Sequence, residues 1–234
     1  MLHGRIIKSK KILANLYKTW YQEFLVGREK LPHGLWVELG SGGGFLKELE
    51  PKIVTSDIIE LESNDLTFSA LKMPFENNSV SCIYMTDTMH HIPDSELFLK
   101  EVDRVLTNGG KLIMVEPANT FWGRFIYQHF HHEPFNPNGS WSIPVSGPMS
   151  GANGALPWIV FVRDNVIFTE GFPSLKITKL RYQNPILYLV SGGVSYKQLV
   201  PNFLYWPIFL IDRLLPKFWK EVSMFMVVHL TKSE

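Results

Sequence analysis

The run Leu35-Trp36-Val37-Glu38-Leu39-Gly40-Ser41-Gly42-Gly43-Gly44 decides how the rest of this 234-residue chain is read. Its first five residues, apolar except for Glu38, fit a buried strand; Gly40 to Gly44 then make a tight loop and Phe45 to Leu49 a short helix. In an open parallel sheet, ligands bind beyond the carboxyl ends of the strands, where a strand turns sharply into its helix. Gly40, Gly42 and Gly44 can take positive φ at that turn and leave no Cβ between the loop and a ligand lying across it. A small molecule can then touch the main chain.

Outward from this turn the pattern repeats. Lys52 to Ser56 reads as a second strand ending on Asp57, Leu66 to Phe68 as a weak third, and Val80 to Met85 as a fourth. Asp94 is placed to cap a helix whose apolar face holds Leu97, Phe98, Val102, Val105 and Leu106, and Asn108-Gly109-Gly110 is expected to stop it. Lys111 to Glu116 is a fifth strand closed by Pro117. Strands alternating with helices predict a parallel, doubly wound α/β sheet. On the N-terminal side, Leu13, Leu16, Tyr17, Trp20, Tyr21 and Phe24 recur at three- and four-residue spacing, which predicts an amphipathic helix ending near Gly27. Past Pro117 the texture changes. Residues 118–157 are rich in aromatics, His, Pro and Gly without a period, and the strands Leu175 to Tyr182 and Met224 to Leu230 flank a hydrophobic helical stretch. The expected organisation is one domain: an N-terminal helix over 1–30, a ligand-binding core over 31–117, and an aromatic-rich segment with closing strands over 118–234.

Composition narrows the function. With 45% hydrophobic and 19% charged residues the chain can bury one substantial core, and a net charge of +1 argues against nucleic acid as a partner. The lone Cys82 excludes an intramolecular disulfide and a cysteine-based zinc site, which suits a reducing, cytoplasmic compartment. No secretory h-region is evident, and the longest apolar run, Phe203 to Ile211, is broken by Pro207 and falls short of the roughly 20 residues that span a bilayer. Phe203, Tyr205, Trp206, Ile208, Phe209, Leu214 and Leu215 are therefore expected to be core or dimer contacts, with a membrane-facing patch as the lesser reading. Residues 1–30 carry seven Lys and Arg against two Glu. That excess suits either peripheral contact with anionic lipid or a phosphorylated substrate, or simply a solvated face over a lid helix.

The glycine loop fails two common nucleotide signatures. A dinucleotide fingerprint begun at Gly40 would need glycine at Phe45, and a P-loop would need Gly-Lys-Ser/Thr where Phe45-Leu46-Lys47 stands. What remains is an acid at the strand end, a loop without a pyrophosphate grip, and a second acid, Asp57. That pair suits a ligand with a cationic end and a ribose diol, which Asp57 could hold in charge-assisted hydrogen bonds.

Glu38 to Gly44, Asp57, Met73-Pro74-Phe75, His90-His91-Ile92 and the run from Glu101 to Pro117 together resemble the class I S-adenosylmethionine-dependent methyltransferases, specifically the methyltransferase type 11 group, over about residues 35–117. The resemblance implies a seven-stranded Rossmann-like sheet of order 3-2-1-4-5-7-6 with strand 7 antiparallel, and S-adenosylmethionine as cofactor. It further implies that Glu38, Gly40, Ser41, Gly42 and Gly44 hold the methionine portion, Asp57 the ribose, Ser69, Ala70 and Leu71 the adenine edge, and Met85 and Thr86 the cofactor's inner side. Ser69 stands where the family commonly has Asp, so the adenine contact departs from the pattern; Ser81 replaces another frequent Asp. The stretches His131 to Phe135, Ser150 to Asn153 and Ser191 to Gly193 resemble a bacterial subgroup of such enzymes.

The implied activity is methyl transfer to a small-molecule, saccharide or lipid-linked acceptor, most simply at oxygen, by a monomer or homodimer. The competing readings are a nicotinamide-dependent oxidoreductase and a non-catalytic cofactor-binding scaffold at a membrane surface. His91 and His132 are candidate general bases because an unperturbed imidazole titrates near neutrality. His129, His131, His132 and Glu133 match no common metal spacing, and no metal is assigned. The aromatics Trp122, Phe125, Tyr127, Phe130 and Phe135 are expected to wall the acceptor.

Overall fold

A computed structural model describes residues 2–144 and 151–233; positions 1, 145–150 and 234, which fall in the segments 1–30, 118–157 and 118–234 and include Ser150, lie outside them. Seven strands form one sheet: β1 (Leu35–Leu39), β2 (Ile53–Asp57), β3 (Leu66–Thr67), β4 (Val80–Thr86), β5 (Leu106–Pro117), β6 (Leu175–Gln183) and β7 (Phe225–Lys232). Their spatial order is 3-2-1-4-5-7-6, with β1 to β5 parallel and β7 antiparallel to both its neighbours, as the family resemblance implies. β4 lies at the centre and six of its seven residues are buried, which is why it reads as a continuous run rather than an alternation.

Alternation of side chains across the strands divides the core in two. Val37, Ile83, Met85, Met114 and Val228 face one layer, packed against Phe98, Leu99 and Val102 of α4 (Ser95–Val105). Cys82, Tyr84, Ile113, Val115 and Val227 face the other, packed against Trp20, Tyr21 and Phe24 of an N-terminal helix. Asp94 caps α4 as expected, its Oδ1 accepting the Leu97 N–H at 2.9 Å.

The N-terminal segment is two helices rather than one, α1 (Leu2–Ser9) and α2 (Lys11–Phe24), because Lys10 adopts an extended ψ of 101° between them. After α2 the chain turns at Gly27, at φ 77°. Asn108-Gly109-Gly110 does not stop α4. That helix ends at Val105, and Leu106 already pairs with Val80. The tract lies inside β5, where the register jumps from Val80↔Leu106 to Cys82↔Lys111, so the extra residues loop out as a bulge around Gly109 at φ 78°. The remaining helices are a four-residue α3 (Leu46–Leu49), α5 (Phe121–Phe130), α6 (Leu156–Trp158) continued by a π-helical turn, α7 (Asn165–Gly171), α8 (Leu187–Ser191) and α9 (Tyr205–Phe218). Of the stretch from Phe203 onward, expected to be core or dimer contacts, Tyr205 is core and Ile208 and Phe209 pack against it, whereas Phe203, Trp206 and Leu214 are not core. Only Tyr205 and Asp212 of α9 are buried, and Phe203 and Trp206 are 76% and 70% exposed.

Candidate active site

A cavity of about 610 Å³ opens at the carboxyl ends of β1, β2 and β4, within the size range of small-molecule sites. Among the sequence candidates, Glu38, Gly40, Ser41, Gly42, Gly44, Asp57, Ser69, Ala70, Leu71, Thr86, His91 and His132 all line it. Met85 does not: its side chain is fully buried in the core layer beside α4, because at the end of β4 alternation turns it away from the wall that Thr86 forms.

The three glycines serve different needs. Gly40, at φ 65°, lies so close to Thr88 that any Cβ would collide with that side chain. Gly44 keeps an ordinary φ, but a Cβ there would come within 2.6 Å of the Tyr21 hydroxyl and 2.9 Å of the Ser41 carbonyl. Only at Gly42, at φ 47°, is there open space, with Asp57 Oδ2 3.8 Å away as the nearest side-chain atom. Asp57 fixes this loop: its Oδ2 accepts the Gly42 N–H at 3.0 Å and its Oδ1 the Ile59 N–H at 3.1 Å.

Glu38 is 2% exposed and its Oε2 has no hydrogen-bond partner. Burial pushes its carboxyl up to about 8. A buried carboxyl group with one oxygen unpartnered, beside an open glycine loop, suits a cationic group, and the ammonium of an amino-acid tail fits it. These residues therefore fit S-adenosylmethionine on donor chemistry as well as on space.

The opposite end of the cavity is ionic. Glu116, fully buried at the end of β5, accepts the backbone N–H groups of Thr88 and Met89 at 2.9 and 2.7 Å through Oε1, and its Oε2 lies 2.8 Å from His90 Nδ1. His90 Nε2 is 3.3 Å from Glu133 Oε2. Burial opposes charge on His90, but the two carboxylates outweigh it and push the imidazole up to about 10. Burial likewise opposes ionisation of Glu133, yet His90 and the neighbouring histidines hold it down to about 2. His91 behaves oppositely: burial and the charge on His90 lower it, and its Nδ1 lies 3.3 Å from the Gly151 carbonyl. Donation of the Nδ1 proton to that carbonyl makes Nε2 the acceptor nitrogen, 3.5 Å from Glu133 Oε1.

His131 and His132 also reach the cavity, and both rings lie within 4 Å of Glu133. His129 is apart from them, turned back on its own helix at the Phe125 carbonyl, 2.8 Å away. His129 therefore does not join its sequence neighbours at the cavity. Instead, ligand-type atoms of His90, His91 and Glu133 lie within 4.8 Å of one another, as do those of Asp87, His90 and Glu116. Sequence spacing gave no sign of this, since Glu116 and Glu133 come from distant segments. One signal was present, though: an acid within the apolar run Lys111 to Pro117 must find a partner when the strand is buried. Asp87 was missed as well. It sits at φ 50° on the cavity wall, where removal from water pushes its carboxyl up to about 8. Of the expected aromatic wall, Tyr127 and Phe135 line the cavity; Phe125 and Phe130 face outward, and Trp122 donates its indole N–H to the Pro185 carbonyl at 3.0 Å.

Residues 37–114 match the family described as Methyltransferase domain. Among solved structures, an S-adenosylmethionine-dependent methyltransferase from Thermotoga maritima is 18% identical, with 99% of each chain covered and a TM-score of 0.52. A second from Methanosarcina mazei is 14% identical, with 89% of this chain and 97% of that chain covered and a TM-score of 0.50. At such identities these two establish the fold alone. No curated protein matches the sequence significantly. Residues 37–114 thus carry a methyltransferase domain, and together with the sheet order this supports an S-adenosylmethionine-dependent methyltransferase with S-adenosylmethionine as its cofactor. The oxidoreductase and scaffold readings give way to this assignment.

Proposed function

We propose that this methyltransferase acts in a reducing, cytoplasmic compartment on a hydroxyl group of a small-molecule, saccharide or lipid-linked acceptor, with His91 as general base. In this reading Glu38 and the loop from Gly40 to Gly44 hold the amino-acid portion of the cofactor, Asp57 the ribose, Ser69 to Leu71 the adenine edge and Thr86 the inner side. When bound, S-adenosylmethionine supplies a methyl group activated by the positive sulfur.

The chain's own task is placement and proton handling. Fixing the acceptor in line with the methyl group is worth up to roughly 7 to 11 kcal/mol. His91 Nε2 would accept the proton of an acceptor hydroxyl held in line with the methyl group that the bound cofactor would supply. The single observation that carries this role is the contrast between adjacent histidines: His90 is locked as a cation between two carboxylates, whereas His91 is held below its ordinary range and so is neutral near pH 7. His132, with its side chain 68% exposed, lacks such enclosure and is the weaker candidate.

The test is turnover with radiolabelled cofactor, first on fractionated host extract to learn whether label enters the aqueous or the lipid phase, then on the purified acceptor. His91→Gln should lower turnover by about 10²- to 10⁴-fold while His132→Gln stays near wild type. Full turnover by His91→Gln removes it as the base.

A further inference from the structure

Large apolar side chains crowd one surface of the molecule. Of 21 such residues exposed among the described residues, nine fall between Tyr196 and Trp219. On α9 the exposed Trp206, Leu210, Leu214 and Phe218 follow at every fourth position, so they form one stripe along the helix. The helix is nonetheless firmly seated. Asp212 on its inner face is 2% exposed and accepts the Asn184 side-chain amide at 2.9 Å and the N–H groups of Ile186 and Leu187 at 2.7 and 3.1 Å. The inner face thus anchors α9 while the outer face stays bare.

α5 carries three more exposed aromatics, Phe121, Phe125 and Phe130. Contacts at both ends of α5 tie it to the same segment: Glu221 accepts the Phe121 N–H at 3.0 Å, and the Tyr196 hydroxyl donates to the Phe130 carbonyl at 3.4 Å. Both connections lead to the cavity. α5 runs directly into His131, His132 and Glu133, and Val194 and Ser195 beside Tyr196 are on the cavity wall.

One flank of this stripe, toward β6, carries cations. Arg213, Lys217 and Lys220 are exposed, whereas the one acid of α9 is the buried Asp212. A helix with Trp, Phe and Leu on one side, flanked by Lys and Arg, has the make-up of one that lies in a lipid interface. An anionic bilayer complements these cations, whereas a second copy would bring an α9 with the same cations and no exposed acid.

We propose that α9 and α5 seat the protein on an anionic lipid bilayer, with the cavity mouth at the interface, so that an amphiphilic acceptor reaches the cofactor without leaving the membrane. The docking stands on the surface alone; only the nature of the acceptor rests on the function proposed above.

Co-sedimentation with vesicles tests it. Wild-type protein should bind phosphatidylcholine vesicles containing about 30% phosphatidylglycerol, with a blue shift of tryptophan emission, and should bind pure phosphatidylcholine at least tenfold more weakly. Raising salt to about 1 M should weaken binding to the anionic vesicles, because screening shortens to about 3 Å. Leu210→Asp and Arg213→Glu/Lys217→Glu, all at exposed positions, should each lose at least tenfold in vesicle affinity while binding S-adenosylhomocysteine like wild type. Wild type that stays in the supernatant with anionic vesicles overturns the proposal, as does Leu210→Asp binding undiminished. A concentration-dependent dimer abolished by Leu210→Asp, with no vesicle binding, also overturns it and assigns the face to a second copy. Failure of wild type to bind S-adenosylhomocysteine would strike the cofactor reading and leave the vesicle result standing.

Discussion

The two ends of the cavity are built by different means. At the cofactor end the contacts come from one continuous loop after β1 and from Asp57 at the end of the adjacent β2, and the wall is largely backbone. At the acceptor end His90, Glu116 and Glu133 arrive from three separate segments and the wall is charged side chains. A backbone cradle depends on local conformation and tolerates few substitutions, whereas a side-chain cluster can be retuned for a different acceptor one residue at a time. On the function proposed above, the common chemistry would sit at the first end and the specificity at the second.

The largest expected effect lies in the ionic cluster. Glu116→Gln takes the negative charge from beside a buried imidazolium and weakens the acceptor for two backbone N–H groups, so it should destabilise the fold by about 3 to 5 kcal/mol in denaturant unfolding. A loss below about 1 kcal/mol would mean that this end is not electrostatically bound together.

A second expectation sharpens the contrast through pH. Glu38, raised to about 8 in the fold, is protonated at neutral pH, and a cationic ligand must expel that proton to bind. Affinity for S-adenosylhomocysteine should therefore climb by up to about tenfold per pH unit from pH 6 to 8 and then level off. The sign for the free protein is opposite: the stability linked to a raised carboxyl pKa is complete below about 4.5 and is lost as pH climbs to about 8. A pH-independent affinity in calorimetry would place the ammonium elsewhere.

Legibility in the sequence follows the same division. β1, the glycine loop and Asp57 are neighbours in the chain or separated by one short helix, so their signal is local and survives in the text. The strand order came from resemblance, since periodicity alone predicts parallel strands without saying which are adjacent. Glycine was read as room for a ligand, but at Gly40 and Gly44 the space is taken by Thr88 and Tyr21, which no local pattern reveals. The bulge at Asn108 to Gly110 looked like a helix stop because both need glycine at positive φ. The apolar content of α9 fits core or a dimer contact equally, because it says nothing about which side an element leaves bare.

The central claim is that the cleft below the Gly40–Gly44 loop receives the sugar and amino-acid portions of the cofactor. Isothermal titration of S-adenosylhomocysteine into the wild type and Asp57→Ala at pH 8 tests it directly. Saturable binding to the wild type, weakened more than about tenfold by Asp57→Ala, or roughly 1.4 kcal/mol, is the predicted result. Equal affinities, or no binding to the wild type, would contradict it.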